Sequence, residues 1–213
     1  GDYPEQRTHG PREMTSETAR LAVDEFMSRA GEDVSLSFYG GEPLLRKGLP
    51  GLVKETKSID QSVEVSLTTN GLGLEYLAAD LQRAGLDRIN ISLDTIRPDD
   101  FYKLTRRDRF EDVKQGIESA INSGLRPVKI NAVLIRGINH DQAPELLDWC
   151  LERGLELRFV EQMPLDAQHS WSREQMVTGA EILASLREKH RIDEAPEPRG
   201  SAPAQKYLVD GGP

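Results

Sequence analysis

The chain has 213 residues, of which 37% are hydrophobic and 30% are charged, and its formal net charge is −9. This composition is typical of a globular protein with a buried core, and the negative charge argues against broad nucleic-acid binding while leaving room for a small basic pocket. The sequence has no apolar run of about 18 residues and no signal-peptide pattern at its start, so we expect a cytoplasmic protein that does not enter the membrane.

Five short apolar, β-branched runs recur at intervals of roughly 25 to 35 residues, and a segment with helical spacing follows each of them. The predicted strands are residues 34–38, 63–68, 88–93, 128–135 and 155–160. The predicted helices are residues 16–29, 49–58, 74–84, 111–123, 142–153 and 179–190. This alternation predicts a parallel α/β sheet, and it is compatible with an open sheet and with a barrel because right-handed crossovers occur in both.

The character of the sequence changes after Met163. Residues 162–176 contain scattered aromatic and polar side chains without a strand pattern, and residues 193–203, rich in proline and glutamate, are typical of a linker or surface crossing. Residues 206–209 are a candidate further strand. We therefore predict a core of residues 1–163 and a C-terminal extension of residues 164–213.

Glycines and polar residues occur at or near the carboxyl ends of the predicted strands. In a parallel βα array, the loops at these ends bring ligand-binding groups together. The motifs, in strand order, are Gly40-Gly41-Glu42-Pro43, Thr68-Thr69-Asn70-Gly71, Ser92-Leu93-Asp94, Lys129-Ile130-Asn131 and Met163-Pro164. We expect the binding site at this edge of the sheet.

Two of these motifs have alternative interpretations. Gly40 and Gly41 either form a simple strand-to-helix turn or let a ligand approach the backbone closely. Lys129 and Arg158 either point to solvent or project inward, where two cations would form a pocket for a polyanion such as a phosphate chain. The pattern alone does not choose between these alternatives.

Cys150 is the only cysteine, and it lies on the apolar side of a predicted helix, so we expect a packed core thiol. The four histidines have no metal-ligand spacing, and we expect them to be surface residues. One thiolate cannot supply the three or four ligands of an iron–sulfur cluster. We therefore predict neither a metal ligand nor a catalytic side chain in this chain.

The succession of these motifs resembles the GTP 3′,8-cyclase family of radical S-adenosylmethionine (SAM) enzymes. The resemblance extends from about Ser37 to Pro213 and includes two further stretches. The first lies between the last two motifs named above, and the second ends with the Met163-Pro164 motif. These stretches are Arg136-Gly137-Ile138-Asn139 and Leu157-Arg158-Phe159-Val160-Glu161-Gln162-Met163-Pro164.

The resemblance implies a partial, TIM-barrel-like (βα) barrel whose first strand and C-terminal domain lie outside this sequence. It implies a lyase of molybdenum cofactor biosynthesis that uses SAM, [4Fe-4S] clusters and an electron donor. It also implies that the enzyme can form a homodimer. The implied SAM-binding residues are Gly40, Gly41, Glu42, Pro43, Ser92 and Met163. The implied GTP-binding residues are Thr68, Lys129 and Arg158, with the lysine near the phosphates.

Three features depart from the family pattern. The family's CxxxCxxC loop would precede Gly1, its three C-terminal cysteines would follow Pro213, and Ser37 stands where the family usually has a GTP-binding arginine. The segment 14–41 is similar to peptide-modifying radical SAM maturases. A peptide maturase and a noncatalytic nucleotide-binding fragment therefore remain alternatives to the cyclase.

The single cysteine generates the first prediction. After anaerobic reconstitution, the isolated 213-residue chain should contain no iron–sulfur cluster and should form no 5′-deoxyadenosine from SAM, because one thiolate cannot hold a cluster. Iron and sulfide analysis with the visible absorption spectrum measures this. Stoichiometric iron and sulfide would contradict it.

Overall fold

The computed structural model describes residues 35–38, 42–163, 174–196 and 204–212. The predicted helix at residues 16–29 lies outside this part of the chain. Five strands form one sheet in chain order: β1 (Ser35–Phe38), β2 (Glu64–Thr69), β3 (Arg88–Ser92), β4 (Val128–Ala132) and β5 (Glu156–Phe159). The β1–β2 and β4–β5 pairs are parallel, which confirms the predicted parallel α/β sheet.

The described helices follow the strands in the βα order of a partial barrel. A 3-10 helix (Pro43–Leu45) comes first, and six α-helices follow: α1 (Leu49–Ile59), α2 (Leu74–Arg83), α3 (Pro98–Thr105), α4 (Phe110–Asn122), α5 (Ala143–Glu152) and α6 (Gly179–Arg187). A two-stranded antiparallel sheet, β6 (Ile192–Glu194) and β7 (Tyr207–Val209), follows α6. No helix in the described ranges has both the length and the apolar character needed to cross a bilayer.

The chain comprises two compact units. The first contains the residues up to Asn90 together with Glu111–Val128, and the second contains Ile91–Phe110 together with Lys129–Pro213. The predicted division at residue 163 stays a prediction, because residues 164–173 and 197–203 lie outside the described ranges.

The core of the first unit is built from alternate strand residues and from one face of each helix. Val65 and Leu67 of β2 are fully buried, as are Leu52 and Val53 of α1 at less than 3% exposure. Each such side chain contributes roughly 1.5–3 kcal/mol relative to an exposed one. The helical face follows the three-to-four-residue spacing that predicted it.

Helix α4 approaches the loop after β2 unusually closely. A Cβ atom at Gly116 would lie 2.5 Å from the carbonyl oxygen of Gly71 and 3.1 Å from Cβ of Leu74. Gly71 itself has φ +83°, a conformation that favours glycine. The Thr68-Thr69-Asn70-Gly71 motif therefore contributes backbone shape as well as side chains.

The second unit has its own apolar cluster on one side of β5. Leu147 of α5 and Ile182 and Leu186 of α6 are buried there, and Leu157 and Phe159 of β5 pack against them. The hairpin joins the same cluster through Ile192, Tyr207 and Val209. A capping box begins α6: the Thr178 hydroxyl accepts from the Glu181 amide, and the Glu181 carboxylate accepts from the Thr178 amide.

Three elements differ from the sequence prediction. Helix α3 was not predicted, although Pro98 at its start and Asp99 and Asp100 in its first turn are helix-initiation signals. Strand β4 ends at Ala132 because Ile135 instead forms an antiparallel bridge with Met176. Ile192–Glu194 is a strand where a linker was expected from residue 193 onward.

His190 is also not the free surface residue that was expected. Its Nε2 lies 2.8 Å from Oδ1 of Asp148 in α5, and its Nδ1 lies 2.8 Å from Oδ2 of Asp210 after β7. The hydrogen bond with Asp210, followed by that with Asp148, raises the pKa of His190. The imidazole thus ties the hairpin to α5.

The contact between α4 and Gly71 generates the second prediction. Gly116→Ala should lower the free energy of unfolding by about 1–3 kcal/mol, because its methyl group would overlap the Gly71 carbonyl oxygen. Gly51→Ala is the matched control, since a Cβ at Gly51 in α1 meets nothing within 4 Å. Urea denaturation of both variants measures the difference. Equal stability of the two variants would contradict the close approach.

Candidate active site

The strand face opposite the apolar core is polar in the first unit. The Ser66 hydroxyl lies 2.9 Å from the Ser37 hydroxyl, and Asn90 Nδ2 donates to Thr68 Oγ1 at 3.1 Å. At the amino-terminal end of the strands, Arg88 Nη1 lies 2.8 Å from Glu64 Oε1. Parallel strands covered on both faces are normally apolar throughout, so this inner face is suited to a polar ligand.

The second unit continues this polar pattern on β4 and β5. Val128, Ile130 and Ala132 are buried, whereas Lys129 and Asn131 alternate with them, as the strand period predicted. Lys129 Nζ lies 2.6 Å from Glu156 Oε2, and the lysine side chain is only 14% exposed. Arg158 is the registered neighbour of Asn131. Lys129 is therefore turned away from the helices and balanced by one carboxylate.

Glu42 connects the start of the 3-10 helix to the end of β2. Its Oε1 accepts from the Leu44 amide at 3.0 Å and from the Thr69 hydroxyl at 2.6 Å, and its Oε2 accepts from the Asn70 amide at 2.8 Å. Pro43 follows as the first residue of the 3-10 helix. The carboxylate is occupied by protein donors, so Glu42 acts by positioning the loop.

Asp94 and Asn139 perform a comparable task in the second unit. Asp94 Oδ1 accepts from the Val133 amide at 2.8 Å. The Asn139 amide group donates to the Asp94 carbonyl at 2.7 Å and to the Val133 carbonyl at 3.0 Å, while its Oδ1 accepts from the Ile135 amide at 2.7 Å. Burial raises the pKa of Asp94, and the Val133 hydrogen bond opposes that shift. The loops after β3 and β4 are thereby locked together.

Arg136 holds the segment that leads into α6. Its Nη2 lies 2.7 Å from Glu181 Oε1 and donates to the Met176 carbonyl at 3.2 Å. The Thr178 amide and Arg136 lower the pKa of Glu181 to about 2. Glu161, after β5, accepts from the Gly179 amide at 2.7 Å. The Arg136-Gly137-Ile138-Asn139 motif thus positions loops through both of its polar side chains.

The structure gives the positions of some, but not all, of the residues expected to bind SAM or GTP. Ser92 ends β3 and is exposed, and Met163 follows β5 with 57% exposure. Gly40 and Gly41 lie outside the described residues. The assignments of Gly40, Gly41, Glu42, Pro43, Ser92 and Met163 to SAM, and of Thr68, Lys129 and Arg158 to GTP, stay predictions.

Cys150 is fully buried, and desolvation raises the pKa of its thiol to about 12. This confirms the expected core packing of Cys150, whose thiol is shielded from solvent. Within the described ranges, no group of three or more histidine, cysteine or acidic side chains could hold a metal ion. The residues of this chain therefore do not fit an iron–sulfur cluster.

Two buried amide oxygens on the inner strand faces accept no hydrogen bond from the described residues. They are Oδ1 of Asn90 in the first unit and Oδ1 of Asn131 in the second. Native proteins pair nearly all such groups with protein, water or ligand. The sequence indicated a site position for Asn131 beside Lys129, but no role was predicted for Asn90, although an amide side chain between two isoleucines was visible there.

Comparison with known proteins adds independent findings. A sequence model described as the radical SAM superfamily matches residues 2–150. A GTP 3′,8-cyclase of Streptomyces coelicolor is 57% identical over 177 residues, covering 83% of this chain and 52% of that protein. A GTP 3′,8-cyclase of Mycobacterium marinum is 46% identical over 210 residues, covering 99% of this chain and 57% of the relative. The chain thus spans about half the length of these curated relatives.

Solved structures share the fold at low identity. A radical SAM methyltransferase from Sphaerobacter thermophilus matches with a TM-score of 0.58 and 17% identity, covering 81% of this chain and 52% of that one. A domain of a pyruvate-formate lyase-activating enzyme from Bacteroides vulgatus matches with a TM-score of 0.55 and 17% identity, covering 73% and 94%. These likenesses confirm the partial (βα) barrel.

The burial of Asp94 generates the third prediction. The pKa of the Asp94 carboxyl is higher in the folded protein than its ordinary value of 3.8, which applies to the unfolded chain. The folded protein therefore binds the carboxyl proton of Asp94 more tightly than the unfolded chain does. Ionised Asp94 therefore costs stability above its folded pKa, and that cost disappears as the pH falls below about 4.

Asp94→Asn keeps an acceptor for the Val133 amide and removes the charge. The variant should be more stable than the unaltered protein at neutral pH, and the difference should shrink on acidification. Thermal unfolding across pH 3–8 measures this, and a difference in stability that does not vary with pH would contradict it.

Proposed function

We propose, since this chain belongs to the radical SAM superfamily, that it forms the central part of a GTP 3′,8-cyclase. Such a lyase converts GTP to (8S)-3′,8-cyclo-7,8-dihydroguanosine 5′-triphosphate in molybdenum cofactor biosynthesis. The similarity to curated cyclases over most of the chain supports the reaction. The structural observation that carries the substrate class is Lys129, a shielded cation on a polar strand face.

The phosphate chain of GTP is proposed to bind Lys129 and Arg158. Lys129 is paired with Glu156, and a triphosphate oxygen can replace that carboxylate because both are anionic acceptors. Arg158, two residues after Glu156 on β5, shares its strand face. Two cations on one face suit a polyanion better than a neutral peptide.

SAM is proposed to bind at the ends of the strands, against Gly40, Gly41, Ser92 and Met163. Glu42, followed by Pro43, contributes by accepting hydrogen bonds from the Thr69 hydroxyl and the Asn70 amide at the end of β2. Two glycines without side chains allow the polar methionyl end of SAM to approach backbone groups. The described residues would thus bind and orient the reactants and exclude water, which is the usual share of a protein around a reactive cofactor.

The [4Fe-4S] clusters of the family require thiolates that this chain does not supply, since Cys150 is its only cysteine and is buried. We propose that their ligands, and the contact with an electron donor, belong to segments of the complete protein outside this sequence. A homodimer and a cytoplasmic location are part of the same proposal.

One observation favours a second candidate, a peptide-modifying radical SAM maturase. Ser37 stands where the cyclase family usually has an arginine, and its hydroxyl contacts Ser66. A hydroxyl thus replaces the guanidinium of a typical cyclase at this position. A peptide substrate would have no need of Lys129.

The fourth prediction separates the two candidates. In the complete protein with its clusters, Lys129→Ala should raise the Kd for GTP about ten-fold or more, since a charge-assisted hydrogen bond is lost. SAM cleavage without substrate should change much less. Lys114→Ala is the matched control, because Lys114 pairs with Glu111 on the surface of α4.

Isothermal titration with GTP measures both variants. Unchanged GTP affinity in Lys129→Ala would contradict the cyclase proposal and favour the peptide maturase. A similar loss in Lys114→Ala would attribute the effect to overall charge.

A further inference from the structure

Asn90 is the central residue of β3, in which polar and apolar residues alternate. Ile89 and Ile91 on either side are fully buried against the core, and the Asn90 side chain lies on the opposite face with Arg88. Asn90 is only 8% exposed. An amide at this depth requires hydrogen-bonding partners for both of its ends.

Only one end of the amide is satisfied. Nδ2 of Asn90 donates to Oγ1 of Thr68 on β2 at 3.1 Å, whereas Oδ1 is buried and accepts no hydrogen bond from the described residues. The neighbouring hydroxyls of Ser37 and Ser66 instead contact each other at 2.9 Å. An unpaired buried acceptor is costly, so a ligand group is the natural partner for Oδ1.

The Thr68–Asn90 pair also indicates which hydrogen-bonding groups the ligand should present. Because Thr68 Oγ1 accepts from Asn90, the hydroxyl hydrogen of Thr68 is available to donate elsewhere. The pair therefore offers one donor and one acceptor side by side. A hydroxyl group matches it with a single atom, since its oxygen accepts while its hydrogen donates. A 180° rotation of the Asn90 amide exchanges the two roles, and a hydroxyl matches that arrangement equally well.

We propose that Asn90, together with Thr68, binds a ribose hydroxyl of the nucleotide substrate and so positions the sugar. The inference rests on the proposed function, in which GTP is the substrate and its ribose is the reacting part. Cations that bind the phosphate chain of GTP do not by themselves fix the orientation of the ribose. A directional contact to one hydroxyl fixes the ribose, and such orientation is a major source of rate enhancement.

The experiment uses the complete, anaerobically reconstituted protein and three ligands: GTP, 2′-deoxy-GTP and 3′-deoxy-GTP. The unaltered protein should bind one of the deoxy nucleotides about ten-fold more weakly than GTP, because that ligand lacks the bridging hydroxyl. Asn90→Ala should weaken GTP binding by a similar factor and should bind the same deoxy nucleotide with no further loss. Such non-additivity identifies a direct contact, whereas a merely structural role would weaken binding of all three ligands.

Asn122→Ala is the matched control, since it makes the same chemical change at an exposed position of α4. It should leave all three affinities unchanged. Equal affinity of the unaltered protein for the three nucleotides would overturn the proposal, and this comparison needs no variant should Asn90→Ala fail to fold. Undiminished GTP binding by folded Asn90→Ala would overturn it as well.

The two levels of inference fail in different ways. If the unaltered protein binds GTP and both deoxy nucleotides with equal affinity, the proposed role of Asn90 is wrong, but the cyclase proposal is not contradicted. If it does not bind GTP at all, both fall together.

Discussion

Side chains, rather than neighbouring strands, pair several backbone amides in the loops that follow the parallel strands, and the shape of these loops depends on that pairing. Glu42 accepts from the Asn70 amide after β2, and Asp94 accepts from the Val133 amide after β4. Asn139 pairs with the Ile135 amide in its own loop and with the Asp94 carbonyl in the loop after β3. These side chains belong to the motifs that identify the family, so the motifs preserve loop shape as much as ligand contact. The ligand-binding backbone can then be rigid before any ligand arrives.

The two faces of the strands serve different purposes. In each unit the strand residues that face the helices are apolar and buried. Their burial offsets the free-energy cost of placing polar residues on the inner face. In the first unit the inner hydrogen bonds leave the Asn90 oxygen unpaired, and in the second Lys129 is balanced by Glu156 while the Asn131 oxygen is unpaired. These unpaired acceptors and the Lys129–Glu156 ion pair are the features on which the proposed ligand contacts rest.

Most of the fold could be predicted because its signals are local. The three-to-four-residue spacing of α1, α2 and α5 and the alternation in β4 both follow from backbone geometry. The short strand β6 has no such signal, since its three residues become a strand only by pairing with β7. The tertiary roles of Glu42 and His190 could not be predicted either, because the strand and helix partners that define these roles lie at least 20 residues away. The unpaired oxygen of Asn90 likewise depends on tertiary packing.

The central proposal is that the complete protein removes a hydrogen atom from C3′ of the GTP ribose and that the 5′-deoxyadenosyl group of SAM accepts it. The most direct test incubates the reconstituted protein with SAM, a reductant and GTP that carries deuterium at C3′, and then analyses the 5′-deoxyadenosine by mass spectrometry. The account predicts GTP-dependent 5′-deoxyadenosine that contains the deuterium. Unlabelled 5′-deoxyadenosine, formed at the same rate with and without GTP, would contradict it.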